Sequence, residues 1–259
     1  MKIWMYENGI SQEVSSLLKL LLNKKNTDSG DPFVIAAAGA GGKTSLLWSL
    51  AREACSMGMK TVLGTTTHML LPREQSVLDG DEERAVELLN RNGIVCIGTP
   101  SEIKGSAVKC QKAPEVLREF LKAHADLILE EADGSRRLPA KYPRADEPVL
   151  NKDTDVVLTV MGLSSIGKTV GDAFHRYELY PGRLNAEEYI RPEHLAKALQ
   201  SGYISRIPDM CSGAAAIPVL NQADTPGRIS QAEEILSMLA GAVPYGLIAC
   251  LRPEECPDR

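Results

Sequence analysis

The chain has 259 residues, 44% of them hydrophobic, with a formal net charge of −5 and an isoelectric point near 5.5. That apolar content supports a packed core and excludes a disordered chain. The acidic balance argues against a nucleic-acid partner, and no apolar run is long enough to span a membrane.

The length fits a single α/β domain over residues 1–259. The apolar start, residues 1–6, is too short for a secretory leader, and Glu7 ends it. The six cysteines, at 55, 96, 110, 211, 250 and 256, are scattered and form no C-x-x-C pair. They read as reduced thiols of a cytoplasmic protein.

In chain order, Ser11 is expected to cap a helix running through Leu17, Leu18, Leu20 and Leu21 to about Asn23. Residues 26–32 form a polar turn region. The unbroken apolar run 33–38 predicts a buried parallel strand, and 45–57 predicts a helix after a glycine-rich break. Strands are expected at 60–64, 94–98, 126–131, 156–161, 215–220 and 245–251. Helices are expected at 81–90, 113–123 and 229–239, and 181–208 reads as a small helical insertion. Strands alternating with helices imply a three-layer αβα sandwich around a mostly parallel sheet.

The break is Gly39-Ala40-Gly41-Gly42-Lys43-Thr44, followed by Ser45. It lies between a strand and a helix, the setting of a phosphate loop. Glycines let main-chain N–H groups curl around an anion, and the helix N-terminus adds roughly half a positive charge. Lys43 has the reach for the β- and γ-phosphates, and the Thr44 hydroxyl suits Mg²⁺. The longer pattern G-x-x-x-x-G-K-[ST] would need glycine at Ala37, where a left-handed backbone would cost about 1–2 kcal/mol. The tighter G-x-x-G-K-T form starting at Gly39 avoids that cost and resembles the loop of Mur-type ligases.

The strand at 126–131 ends in Glu130 and Glu131, followed by Asp133 and Gly134. An apolar strand ending in a carboxylate sets an acid beside Mg²⁺ in phosphate-loop proteins. Glu131 or Asp133 could hold the metal, and Glu131 could equally orient a water; Glu130 is expected to be an ordinary exposed acid. Thr65, Thr66, Thr67 and His68 end the neighbouring strand on the same sheet edge, so the threonine hydroxyls are candidates for Mg²⁺ or γ-phosphate contact, and His68 is a candidate base or substrate contact. Asn221-Gln222-Ala223-Asp224 follows a late strand, as N-K-x-D does in GTPases, with Gln222 in the lysine position. There Asp224 would read guanine, so the nucleotide is GTP or ATP depending on whether that contact forms. Lys141, Arg136, Arg137, His175 and Arg176 are candidates for an anionic second ligand, against a plain reading as surface charge.

Taken together, these pieces resemble the YqeC family, accessory proteins associated with selenium-dependent molybdenum hydroxylases. The matching residues are Gly39 through Leu47, Thr65 through Met69, Glu131 through Ser135, Leu138 through Lys141, Glu147 through Val149, Gly162-Leu163, Gly167-Lys168, His175-Arg176 and Asn221 through Asp224. The sequence Lys141-Tyr142-Pro143 departs from the Lys-Ala-Pro expected there. The resemblance implies a role in cofactor or selenium maturation of a molybdenum enzyme, with the client enzyme or its cofactor as partner, and no reaction of its own; the glycine loop and its acids predict a Mg²⁺-dependent NTPase. A small-molecule kinase or ligase, and a metallochaperone-type GTPase, are the alternatives. The sequence leaves the oligomeric state open.

Overall fold

The computed structural model describes residues 1–23 and 30–251. Most of the polar turn expected at 26–32 lies outside the described residues, as does Cys256.

Strands β1 (Lys2–Glu7) and β2 (Ile10–Glu13) form an antiparallel hairpin, and helix α1 (Leu17–Leu22) follows. Strand β3 (Phe33–Gly39) enters the glycine loop and α2 (Lys43–Ser56) leaves it. Then come β4 (Thr61–Thr65), β5 (His68–Pro72), β6 (Ser76–Val77), α3 (Glu82–Asn92) and β7 (Ile94–Ile97). Strands β8 (Thr99–Lys104) and β9 (Ala107–Gln111) precede α4 (Glu115–Lys122) and β10 (Leu127–Glu131). The chain continues through β11 (Ala140–Lys141), β12 (Val156–Gly162), α5 (Val170–Ala173) and β13 (Phe174–His175). It closes with α6 (Pro192–Leu199), α7 (Ile207–Met210), β14 (Ala215–Asn221), α8 (Pro226–Met238) and β15 (Gly246–Cys250).

The main sheet has the order β2-β1-β15-β14-β12-β3-β10-β4-β7-β6. It is parallel from β15 to β6, and the β1–β2 hairpin adds an antiparallel edge. The central strand β3 is buried at every position, which is why it reads as an unbroken apolar run. Its residues alternate between faces. Phe33, Ile35 and Ala37 pack with Leu46, Leu47 and Leu50 of α2, while Ala36 and Ala38 share the opposite core with Leu195 of α6 and Leu236 of α8. Val34 joins Leu88 of α3 and Leu117 of α4 on that second side. The result is a phosphate-loop NTPase-like αβα sandwich.

One expectation is corrected here. Ser11 does not cap a helix, because residues 10–13 pair with β1 across a turn at Asn8 and Gly9. Both turn residues have positive φ, 51° and 82°, the Asn-Gly geometry that fixes a two-residue hairpin. The helix starts later, where the Ser16 hydroxyl accepts a hydrogen bond from the Lys19 amide. A smaller antiparallel sheet, β5-β9-β8, is an addition that the sequence reading does not contain.

Candidate functional site

The glycine loop starts where the tighter motif predicts. Ala37 stays in the strand, paired with Glu131 on one side and Leu158 on the other. Positive φ begins at Gly39 (98°) and recurs at Gly41 (85°) and Gly42 (126°). A Cβ on Gly39 would lie 2.1 Å from the Val160 carbonyl oxygen, and one on Gly42 would lie 2.2 Å from Asn221 Nδ2. Glycine is therefore required by close approach as well as by conformation. Ala40 is fully buried and its amide donates to Val160. Helix α2 begins at Lys43 with Gly42 as its cap and no side-chain cap bond, and Ser45 lies in its first turn. That leaves main-chain donors at the helix end, the usual anion position.

Lys43 is 3% exposed, and its ammonium donates to the Gly39 carbonyl at 2.6 Å. Asp133 lies 3.2 Å from it and Glu131 3.6 Å. Burial pulls the Lys43 pKa down, but these two carboxylates outweigh it and the net shift is upward. The carboxylates themselves diverge. Burial lifts Glu131 above the usual carboxylate range despite Lys43 and Thr44. Asp133 is also penalised by burial, yet Lys43 and Lys141 hold it below that range. The Thr44 hydroxyl donates to Glu131 Oε2 at 2.6 Å, so a hydroxyl and a carboxylate oxygen converge beside the loop.

Asp133 is fully buried and completely engaged. Both its oxygens accept from the Gly39 amide at 3.0 Å, and Oδ2 accepts from the Tyr203 hydroxyl at 3.0 Å. Lys141, also fully buried, lies 2.8 Å from Asp133 and 2.6 Å from Glu147, and donates to the Gly134 carbonyl. Arg176 Nη1 donates to Glu147 in turn. Lys43, Asp133, Lys141, Glu147 and Arg176 thus form a chain of alternating charges running from the loop to the surface. Each inner member has an opposite charge on both sides, which is what a buried ion needs. Lys141 is accordingly a buried link and not a surface charge.

The threonine turn is largely spent on structure. Thr65 donates to the Glu131 carbonyl at 2.7 Å and Thr66 to the Val149 carbonyl at 2.7 Å. The Thr67 hydroxyl is buried without a hydrogen-bond partner among the described residues. His68 is exposed at the start of β5. Asn221 donates from Nδ2 to the Gly41 carbonyl at 2.7 Å, which braces the loop from β14. Its Oδ1 is buried and unpartnered among the described residues. Asp224 is exposed and ion-paired to Arg228 at 2.5 Å, while Gln222 accepts from the Ser164 amide.

Glu130 corrects another expectation. It is 5% exposed, pairs with Arg118 at 2.8 Å, and accepts from Asn151. Strand alternation turns it away from Lys43, and the Arg118 fork neutralises it. Tyr142, the departure from Lys-Ala-Pro, packs edge-on to Tyr180 with ring centroids 5.9 Å apart.

The family model described as "YqeC protein" matches residues 35–178, more than half of the chain. The chain belongs to the YqeC family. A curated relative, an uncharacterized protein YqeC of Escherichia coli strain K12, is 32% identical over 154 residues. That match covers 58% of this chain and 59% of the relative, so less than two thirds of the relative's length is spanned. Among solved structures, hydrogenase maturation factor HypB from Archaeoglobus fulgidus aligns over 90% of this chain and 84% of its own. It has 13% identity and a TM-score of 0.38. FtsY from Mycoplasma mycoides aligns over 90% of this chain and 69% of its own, with 12% identity and a TM-score of 0.39. Likenesses this shallow carry no functional argument.

The YqeC match contains the whole loop, Glu131, Asp133 and the ion chain out to Arg176. Tyr203, Asn221 and Asp224 lie beyond it. Tyr203 is the contact that sequence reasoning missed. It comes from a π-helical turn, Gln200–Ile204, after α6, and no local pattern marks it. Among the described residues no helix is long and apolar enough to cross a membrane.

Proposed function

We propose that this YqeC-family protein binds a nucleoside triphosphate with Mg²⁺ at the 39–44 loop and hydrolyses it. The observation carrying this reading is Lys43, buried in a glycine loop at a helix N-terminus, next to the Thr44–Glu131 pair. In this reading the loop amides hold the β-phosphate region. Lys43 exchanges the Gly39 carbonyl and Asp133 for phosphate oxygens. The donor set fits Mg²⁺, which takes one or two protein oxygens and keeps waters and phosphates for the rest. Thr44 and Glu131 would hold it. Bound there, Mg²⁺ would neutralise charge on the phosphate oxygens. Asp133 positions Lys43 and the Gly39 amide. Asn221 braces the loop, and Asp224 reads the base if the nucleotide is GTP.

The wider role is an accessory one in the cytoplasm. The family resemblance suggests a molybdenum hydroxylase client, or its cofactor, served during selenium or cofactor maturation. Phosphate release from Mg–GTP and Mg–ATP tests the hydrolytic reading. Slow release is expected, and Glu131→Gln should lower it at saturating nucleotide. No release from either nucleotide, with or without a molybdenum hydroxylase present, would remove the hydrolysis claim.

A further inference from the structure

A cleft of about 280 Å³ opens at the far end of the ion chain. Its walls include Arg136, Leu138, Phe174, His175, Arg176 and the acidic Glu178. The volume lies at the lower end of small-molecule sites. Arg136 is exposed, and no hydrogen bond or ion pair ties its guanidinium among the described residues. Arg176 spends Nη1 on Glu147, and its other N–H groups are free of hydrogen bonds among the described residues. Both arginines have left-handed backbones, with φ of 50° and 60°, as does Arg137 at 63°. Left-handed backbone is unfavourable for residues other than glycine, and strain of this kind gathers at working sites. His175 is pushed down to about 4 by burial first, then by Arg176, Lys141 and Arg136, against which Glu147 acts more weakly. It is therefore neutral near pH 7, and the field it feels is positive.

We propose that this cleft binds a small molecule through an oxyanion held by Arg136 and Arg176, and that it and the phosphate loop oppose each other through the buried ion chain. The sign follows from competition for shared charges. An oxyanion that draws Arg176 off Glu147 makes Glu147 lean on Lys141. Asp133 then loses part of Lys141 and holds Lys43 harder, away from phosphate. Run the other way, a triphosphate that takes Lys43 leaves Asp133 leaning on Lys141, and Glu147 then grips Arg176. Coupling of this kind is reciprocal. The opposition rests on the nucleotide reading, whereas the cleft's own occupancy does not.

The test uses benzoate and phenyl phosphate as probes on the nucleotide-free full chain. NMR signals of the Arg136 and Arg176 Nε–H groups and the His175 ring report the cleft separately from the loop. Saturable shifts at all three are expected, and Arg136→Gln should weaken the probe about tenfold, the effect of losing one charge-assisted hydrogen bond. Binding of benzoate alone assigns a carboxylate ligand and of phenyl phosphate alone a phosphate ligand, and either sustains the site. Shifts absent from these residues, or affinity unchanged in Arg136→Gln, would overturn it. Saturating Mg–GTP should then weaken the probe, and less so in Glu147→Gln. Equal probe affinity with and without bound Mg–GTP would overturn the opposition. If Mg–GTP itself fails to bind, the nucleotide reading falls while the probe titration still decides the cleft.

Discussion

Thr44 and Glu131 are 87 residues apart in sequence, yet the Thr44 hydroxyl donates a 2.6 Å hydrogen bond to Glu131 Oε2. The sheet makes this contact. Strands β3 and β10 run parallel and in register, so Glu131 pairs with Ala37 just before the loop. Helix α2 then starts over the carboxyl ends of both strands, the edge where open parallel sheets place ligands.

Thr44→Val keeps the shape of this side chain and removes its oxygen. The Mg²⁺-dependent part of nucleotide affinity should fall by about tenfold or more, equivalent to one lost ligand of about 1.4 kcal/mol. Affinity measured in a chelator should barely move. Calorimetric titration with and without Mg²⁺ checks both halves.

Lys141→Met should destabilise the fold strongly. It would leave Asp133 and Glu147 buried beside one another without the ammonium between them. Breaking such a buried network costs about 3–5 kcal/mol. Arg84→Ala, which removes a half-exposed partner of Asp79 outside the ion chain, should cost about 1 kcal/mol or less. Urea unfolding of both variants makes the comparison.

His175 gives a pH dependence with a defined sign. Its folded pKa is about 4, below the ordinary 6.5, so the unfolded chain takes up the proton first as pH falls. Its contribution to stability is present above 6.5 and is lost as pH falls towards 4. His194 is lowered too, by burial and then Arg191, and contributes in the same direction. Urea midpoints between pH 7 and pH 4 should therefore fall less steeply in His175→Asn than in the wild type. Parallel profiles would contradict the assignment.

The central part of the site was legible because it is encoded locally. Continuous burial of β3 produces an apolar run, positive φ requires the glycines, and a parallel strand end carries Glu131. What escaped depends on distant packing. Glu130 looks exposed until Arg118 of α4 folds across it, and Tyr203 reaches Asp133 only because the chain turns after α6. The first hairpin is a different kind of miss. Asn8-Gly9 was a readable turn signal, and the leucines of α1 outweighed it by suggesting a longer helix.

Asp224→Ala tests base reading. Asp224 is exposed and held by Arg228, so its loss should leave stability unchanged. If Asp224 accepts from guanine, the variant should lose about 1–3 kcal/mol of GTP affinity and little for ATP. Competition binding with both nucleotides distinguishes this from equal losses, which would remove the guanine contact.

Lys43 carries the account, and Lys43→Ala tests it most directly. Asp133 would keep Lys141, Tyr203 and the Gly39 amide, so the variant should stay folded, as its thermal transition will show. Titration of Mg–GTP and Mg–ATP into the wild type and this variant should show binding to the wild type and a loss of about tenfold or more in the variant. Equal affinity in the two folded proteins, or a wild type that binds neither nucleotide, would contradict the account.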